Sequence, residues 1–131
     1  MPGVPLRGLI VDYGGVLTDG PDLLDAVRRA RARGVSTALL TDAHTVPDEY
    51  VGLFDVMALG SALGVRKPDP EVFRRVAARL GLGVEDCVVV DDAAANVRGA
   101  RDAGAVVIRH RDPATTVAEM DILLDLPPTT G

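Results

Sequence analysis

Cysteine, lysine and aromatic residues are scarce in this chain of 131 residues. The single cysteine, Cys87, excludes an internal disulfide bond. Aromatic residues make up only 3% of the sequence, so a core must be built from Val, Leu, Ile and Ala, and apolar residues at 47% are enough for one. We expect residues 1–131 to form a single domain, with a frayed tail from about residue 125.

Three further features are missing, and each excludes a class of protein. No apolar run approaches the ~18 residues that a membrane-spanning helix needs. Residues 1–5 have neither the basic nor the apolar region of a signal peptide. The net charge is −5, and no run of Lys and Arg is long enough for a nucleic-acid-binding patch. We therefore expect a soluble, cytoplasmic protein that binds neither nucleic acid nor membranes.

Lysine occurs once, although the chain has 14 basic residues. Arginine supplies the other basic positions, so the composition favours Arg for ordinary surface charge. A Lys retained against this bias suggests a need for a compact ammonium group rather than a planar guanidinium. Chance retention of Lys67 remains the alternative at this point.

Short apolar runs alternate with helical patterns along the chain. The runs predict strands at residues 9–11, 35–40, 56–59, 87–90 and 105–108. Helices are predicted at residues 22–33, 71–80, 93–103 and 115–124, with a short helix or turn at 45–52. Asp69 is predicted to cap the second helix, with Pro70 as its first residue. The alternation predicts an α/β fold whose parallel sheet is covered by helices on both faces.

Polar residues follow four of the predicted strands. In parallel sheets, ligands bind beyond the carboxyl ends of the strands, where these residues should meet. Each could instead be an ordinary helix cap or strand end, but their convergence on one edge favours a functional site. Carboxylates without His or Cys are ligands for Mg²⁺ rather than zinc, and lysine, hydroxyl and backbone N–H groups can hold phosphate oxygens. The residues are Asp12, Thr41, Lys67, Asp91 and Asp92, with Gly14 and Gly15 beside the first.

Four blocks of sequence resemble the motifs of the haloacid dehalogenase (HAD) superfamily. They are DYGGVLT at residues 12–18, Thr41, LGVRKPDPEVF at residues 63–73, and VVVDDAAANVRGA at residues 88–100 followed by Gly104. The order and spacing of the four blocks carry the resemblance, which covers residues 7–110. It implies a Rossmann-like HAD core, a five-stranded parallel sheet in the order 5-4-1-2-3, with no large cap domain.

The resemblance also implies a Mg²⁺-dependent phosphatase and a role for each site residue. Asp12 would be the nucleophile that forms an aspartyl-phosphate. Thr41 and Lys67 would bind the transferring phosphoryl group, together with Asp42 and Gly15, and Lys67 would also neutralise Asp12. Mg²⁺ would be held by Asp12, the backbone carbonyl of Gly14, and Asp92, with Asp91 binding directly or through water. Asn96, four residues after Asp92, would support the fourth motif.

Two departures from the family pattern bear on activity. Phosphatases of the family usually carry a second Asp two residues after the nucleophile, as general acid and base, and this chain has Gly14 there. Asp19, Asp42 or His44 could substitute, although each also reads as an ordinary loop residue. The second departure is the cap, because only 29 positions separate Asp12 from Thr41. We expect an open site, covered by a partner subunit in a homodimer or by a large substrate.

Several functions are weighed on this basis. The leading prediction is a slow phosphohydrolase acting on a small-molecule or macromolecular phosphate ester. The alternative is a catalytically degenerate HAD domain that serves as a binding or regulatory module. A dehalogenase would also lack the second Asp, but it needs no metal and carries a bulky aromatic where Gly14 stands. A response-regulator receiver is disfavoured, because its acidic pair would follow the first strand and its lysine the fifth.

Overall fold

A computed structural model describes residues 5–127 of the chain. The five strands are β1 (Gly8–Val11), β2 (Ser36–Thr41), β3 (Val56–Leu59), β4 (Cys87–Asp91) and β5 (Val106–Arg109). The four helices are α1 (Asp22–Ala32), α2 (Pro70–Arg79), α3 (Ala94–Ala103) and α4 (Pro113–Leu123). All strands are parallel, in the order β3-β2-β1-β4-β5, which is the predicted order read from the other edge.

The sheet is buried on both faces, as parallel sheets generally are. Successive side chains of a strand point to opposite faces, and two separate apolar clusters result. Leu9 and Val11 of β1 pack into the cluster on the face covered by α1 and α4. Ile10 packs into the cluster on the opposite face, which α2 and α3 cover. The predicted fold class is confirmed, and the core is largely aliphatic.

Local differences from the sequence-based prediction are confined to turns and element ends. A wide turn at Tyr13–Leu17 follows β1 directly, where Gly14 and Gly15 indicate a turn, and in it the Thr18 N–H donates to the Tyr13 carbonyl at 3.3 Å. The predicted helix or turn at 45–52 is a single short turn, Asp48–Tyr50. Helix α4 begins two residues earlier than expected, since the Asp112 side chain accepts a hydrogen bond from the Thr115 N–H.

The last described residues pack against the core. Leu126 is 6% exposed and belongs to the apolar cluster under α1 and α4. Its backbone N–H donates to the Asp121 carbonyl at 2.9 Å, which holds the segment after α4 against that helix. The rest of the expected frayed tail, residues 128–131, lies outside the described residues.

Candidate active site

The carboxyl edge of the sheet brings the candidate residues together. Thr41 and Asp91 are the last residues of β2 and β4, and Asp12 follows β1 immediately. The Asp12 N–H donates to the Val90 carbonyl at 3.1 Å, which aligns Asp12 with the end of β4. These three strands are neighbours in the middle of the sheet, so their ends form one short row.

Three carboxylates from this row form a compact acidic cluster. One oxygen each of Asp12, Asp91 and Asp92 lies within 4.8 Å of the others. Asp91 is buried and Asp92 is exposed, so the cluster extends from the sheet edge to the surface. Adjacent carboxylates repel one another, and a hard divalent cation is the usual ligand for such an oxygen set. This cluster could therefore hold a metal ion.

Lys67 contributes the positive charge of the cluster. Its Nζ lies 3.0 Å from Oδ1 of Asp12 and 2.8 Å from Oδ2 of Asp91, and its side chain is only 3% exposed. The loop that carries Lys67 runs directly into α2, whose first turn is capped by the Asp69 carboxylate accepting from the Glu71 N–H at 2.9 Å. The predicted cap at Asp69 is therefore confirmed, and it fixes the loop next to the cluster.

The cluster has three carboxylates and one ammonium group, which contacts two of them, so the cluster has excess negative charge. The pKa of Asp12 is raised to about 6, because burial, the largest cause, and the charge of Asp91 raise it more than Lys67 and the Tyr13 N–H lower it. Burial alone would lower the pKa of Lys67, but Asp12 and Asp91 raise it above its usual value. Lys67 therefore stays charged near neutral pH, and Asp12 is a carboxylate whose protonation changes there.

Asp91 is held by more partners than either of the other two carboxylates. In addition to Lys67, it accepts from the Ala93 N–H at 2.9 Å and from the Asn96 side-chain amide at 3.3 and 3.2 Å. Asn96 thus contacts Asp91, the residue before the one that its spacing suggested. With both oxygens engaged, Asp91 is placed to orient Lys67, and the exposed Asp92 has its oxygens available for a ligand.

The two adjacent glycines after Asp12 differ in their backbone geometry. Gly14 has φ −66° and ψ 127°, which any residue adopts, and a Cβ there would meet no atom within 4 Å. Gly15 has φ +81°, and a Cβ there would overlap the Asp92 carboxylate. The Gly15 N–H, predicted to bind phosphate, donates to Oγ1 of Thr18 at 2.9 Å in this structure.

The remaining predicted residues lie on the β2 side of the cluster or beyond it. Thr41 is buried and its Oγ1 accepts from the Ala43 N–H at 3.2 Å, which leaves the hydroxyl hydrogen free to donate. Asp42 is exposed, with the guanidinium of Arg66 4.0 Å away. Of the three residues considered as replacement acids, Asp19 binds His110, and the His44 ring lies against Gly60.

Two supporting residues were missed by the sequence analysis. His110 follows β5, and its ring contacts the loop before α1 and the first turn of α4: Nε2 lies 2.8 Å from Oδ2 of Asp19, and Nδ1 lies 2.7 Å from Oγ1 of Thr116. Gly99 of α3 allows close packing, since a Cβ there would overlap the Pro68 carbonyl next to Lys67. His110 stands at a strand end, and the same rule that found Asp12 and Thr41 would have identified it.

The acidic cluster reaches the surface at Asp92, which is exposed. Within the described part of the chain, only the wide turn and α1 lie between β1 and β2, so no cap is inserted at that point. No helix among residues 5–127 is long and apolar enough to cross a membrane.

Comparison with protein families identifies related proteins. A family model described as haloacid dehalogenase-like hydrolase matches residues 10–104. Phosphatase MT3486 of Mycobacterium tuberculosis (strain CDC 1551 / Oshkosh) is 31% identical over 102 residues, which are 72% of this chain and 47% of that protein. The phosphoserine phosphatase of Thermus thermophilus is 35% identical over 94 residues, 64% of this chain and 37% of that protein. The chain thus spans less than half the length of either phosphatase.

Solved structures show the same fold. An uncharacterized protein from Corynebacterium glutamicum ATCC 13032 Kitasato superposes with a TM-score of 0.86 at 33% identity, covering 95% of this chain and 99% of that one. A HAD family enzyme from Bacteroides thetaiotaomicron, in complex with magnesium and inorganic phosphate, superposes with a TM-score of 0.62 at 13% identity. It covers 81% of this chain and 94% of that one, and at this identity the likeness concerns the fold alone.

Proposed function

This chain belongs to the haloacid dehalogenase-like hydrolases, and we propose that it is a Mg²⁺-dependent phosphohydrolase that forms an aspartyl-phosphate on Asp12. The observation that carries the proposal is the position of Lys67, whose ammonium group lies between the Asp12 and Asp91 carboxylates next to the exposed Asp92. Relatives named as phosphatases support the same reaction class. A homodimer and a cytoplasmic location stay predictions.

The donor set fits Mg²⁺. Three carboxylates meet within 4.8 Å, without His or Cys in the group, and a single ammonium group leaves their negative charge only partly balanced. Asp12 and Asp92 would hold the ion together with the Gly14 carbonyl, and Asp91 would act directly or through water. Bound there, Mg²⁺ would supply positive charge for the phosphoryl oxygens and lessen the repulsion among the carboxylates.

Asp12 is the nucleophile of the proposed reaction. With a pKa of about 6, its carboxylate is mostly ionised at pH 7 and can donate an electron pair to phosphorus. The new Asp12–phosphorus bond forms as the bond to the ester oxygen breaks, and that oxygen leaves with the bonding electrons. Water then attacks phosphorus, the Asp12–phosphorus bond breaks, and phosphate and the free carboxylate are released. Lys67 and the Thr41 hydroxyl would hold the phosphoryl oxygens during both displacements.

The proposed reaction lacks a built-in proton donor at position 14. The leaving oxygen would take its proton from water, and general acid–base help is typically worth about 10²–10⁴ in rate. We therefore expect slow turnover, with better leaving groups cleaved faster. The missing acid also supports a second candidate, a catalytically degenerate domain that binds Mg²⁺ or phosphate in a regulatory role.

The test is a phosphatase screen of the wild type and Asp12→Asn, with and without Mg²⁺, on aryl and alkyl phosphates. The enzyme hypothesis expects Mg²⁺-dependent phosphate release that Asp12→Asn abolishes, and trapping of the phosphorylated carboxylate on Asp12 by mass spectrometry after rapid quenching. Turnover that persists in Asp12→Asn would contradict the nucleophile. A folded wild type that binds Mg²⁺ but releases no phosphate would favour the regulatory module.

A further inference from the structure

Four arginines line one cavity beside the candidate active site. The cavity has a volume of about 340 Å³ and lies between α3 and the residues at the end of β5. Arg98 and Arg101 are three residues apart on α3. Arg109 is the last residue of β5, and Arg111 lies in the loop after it. All four side chains are exposed at its surface. A chain with a net charge of −5 therefore gathers positive charge at one place.

These arginines differ from the others in what they contact. Six of the nine arginines outside the cavity have a carboxylate oxygen within 4.0 Å. Among residues 5–127, none of the four in the cavity has such a partner. Four like charges lining one cavity repel one another, and an anion bound among them would relieve this repulsion. Guanidinium groups also match the oxygens of phosphate in geometry.

The cavity adjoins the acidic cluster. Arg109 is the register partner of Asp91 on the neighbouring strand, so the two strand ends lie side by side. Ala94, the first residue of α3, lines the cavity and is two residues after Asp92. A ligand with one group at Asp12 could thus place a second group among the arginines without leaving the surface.

We propose that this cavity is a subsite for a second anionic group of the substrate, a phosphate held by Arg98, Arg101, Arg109 and Arg111. The inference rests on the proposed phosphohydrolase activity, and it names the substrate class as a bisphosphate rather than a simple monoester. An open site without an inserted cap needs another source of selectivity, and charged contacts to the distant phosphate supply it. Because the arginines are exposed, salt weakens this selectivity.

The test compares alkanediol bisphosphates of increasing chain length with the matched alkyl monophosphates. For the chain length that spans the two sites, we expect kcat/KM to favour the bisphosphate by about tenfold, the effect of one good charge-assisted contact. The double variant Arg98→Gln/Arg101→Gln should remove this preference by raising KM for the bisphosphate, with the monophosphate kinetics unchanged. The matched control Arg28→Gln/Arg79→Gln changes the net charge equally on exposed parts of α1 and α2, and it should keep the preference.

Three outcomes would overturn the subsite. The first is equal kcat/KM for both substrate series at every length in the wild type. The second is an equal loss of preference in the control, which would reduce the effect to net charge. The third is that the wild type shows no bisphosphate preference while free sulfate changes monophosphate turnover, and that this sulfate effect is lost in Arg98→Gln/Arg101→Gln. The cavity would then be a site for a separate anion.

A failure of the proposed activity is distinguishable from a failure of the subsite. If the wild type releases no phosphate from either series, calorimetry with pentanediol bisphosphate on the wild type and on Arg98→Gln/Arg101→Gln decides the subsite alone. Binding at least about tenfold weaker in the variant keeps the anion subsite on a non-catalytic domain. Equal affinity in both proteins removes it.

Discussion

Lys67 and Asp91 form a buried ion pair, with Nζ 2.8 Å from Oδ2 and the two side chains 3% and 2% exposed. Removing one partner of such a pair leaves a charge without compensation in the interior, at a cost of about 3–5 kcal/mol. We expect Lys67→Met to lose stability of this order at pH 7, measured by urea unfolding. The loss should shrink towards pH 4, since the freed carboxylates then take up protons.

The double variant Lys67→Met/Asp91→Asn is the control for this prediction. It removes the more deeply buried of the two carboxylates that lose their ammonium partner and keeps the shape of the Asp91 side chain, so it should recover much of the lost stability. A Lys67→Met protein as stable as the wild type across this pH range would contradict the ion pair.

The raised pKa of Asp12 predicts a pH dependence of the metal-free protein. The folded-state pKa is about 6 and the unfolded value is about 3.9, so between them the folded state binds more protons. The contribution of Asp12 to stability is therefore largest at low pH and is lost as the pH rises through 6. In EDTA, the decrease in melting temperature from pH 5 to pH 7.5 should be smaller for Asp12→Asn than for the wild type. An identical decrease in both proteins would contradict this assignment.

Magnesium should stabilise the protein by mass action. An ion present at a hundred times its dissociation constant adds about 2.7 kcal/mol to the free energy of unfolding. Millimolar Mg²⁺ should raise the melting temperature of the wild type, and Asp92→Ala should lose most of this shift because it removes a proposed ligand of the ion. Asp92 is exposed, so its removal spares the core. The control Asp102→Ala removes an exposed carboxylate on α3, away from the cluster, and should keep the shift. Equal shifts in Asp92→Ala and the wild type would place the ion elsewhere.

Gly14→Asp should restore the missing acid–base group. The extended backbone and open space at this position accommodate a side chain, so we expect the variant to fold. Mg²⁺-dependent turnover of an aryl phosphate should rise at least about tenfold, the low end of what such a group contributes.

Two variants control for this gain. Gly14→Asn has nearly the same shape without the acid and should not gain, and Asp12→Asn/Gly14→Asp should be inactive because the gain requires the nucleophile. A folded Gly14→Asp protein without a gain would favour the regulatory module over the slow enzyme.

Gly15→Ala should behave differently from Gly14→Ala, although the two positions are adjacent. A non-glycine residue at φ +81° costs about 1–2 kcal/mol, and the added Cβ would displace the Asp92 carboxylate. We expect Gly15→Ala to lower both the melting temperature and the Mg²⁺-induced shift, whereas Gly14→Ala should change neither by much. Equal melting temperatures in the two variants would contradict the turn geometry.

Much of the fold could be predicted from local patterns. Apolar runs of strand length identified β1 to β5 within one or two residues, because a strand buried on both faces needs a continuous apolar segment. The Asp-Pro cap was recognised at Asp69 and missed at Asp112, although the two segments have the same chemistry. The burial of Leu126 could not be read from local patterns, because it packs in the same apolar cluster as α1, which lies about a hundred residues earlier in the chain.

The sequence by itself determined which residues meet at the site. Parallel strands end at one edge, so polar residues after strands had to converge, and Asp12, Lys67, Asp91 and Asp92 do so. Tertiary structure decided their environments. Burial and the sharing of one ammonium group set the pKa of Asp12, and only the turn after β1 shows that Gly15, not Gly14, requires glycine.

Long-range packing also decided which distant segments come into contact, and no single segment of the sequence contains that information. The arginine cavity joins α3 to the end of β5, and its four residues form no continuous basic run, so their charges add only after folding. His110 likewise meets Asp19 across 91 residues of chain, and Gly99 meets Pro68 across the α2–α3 packing. Periodicity and capping are local properties of the chain, whereas proximity between distant segments is fixed by how the helices pack on the sheet.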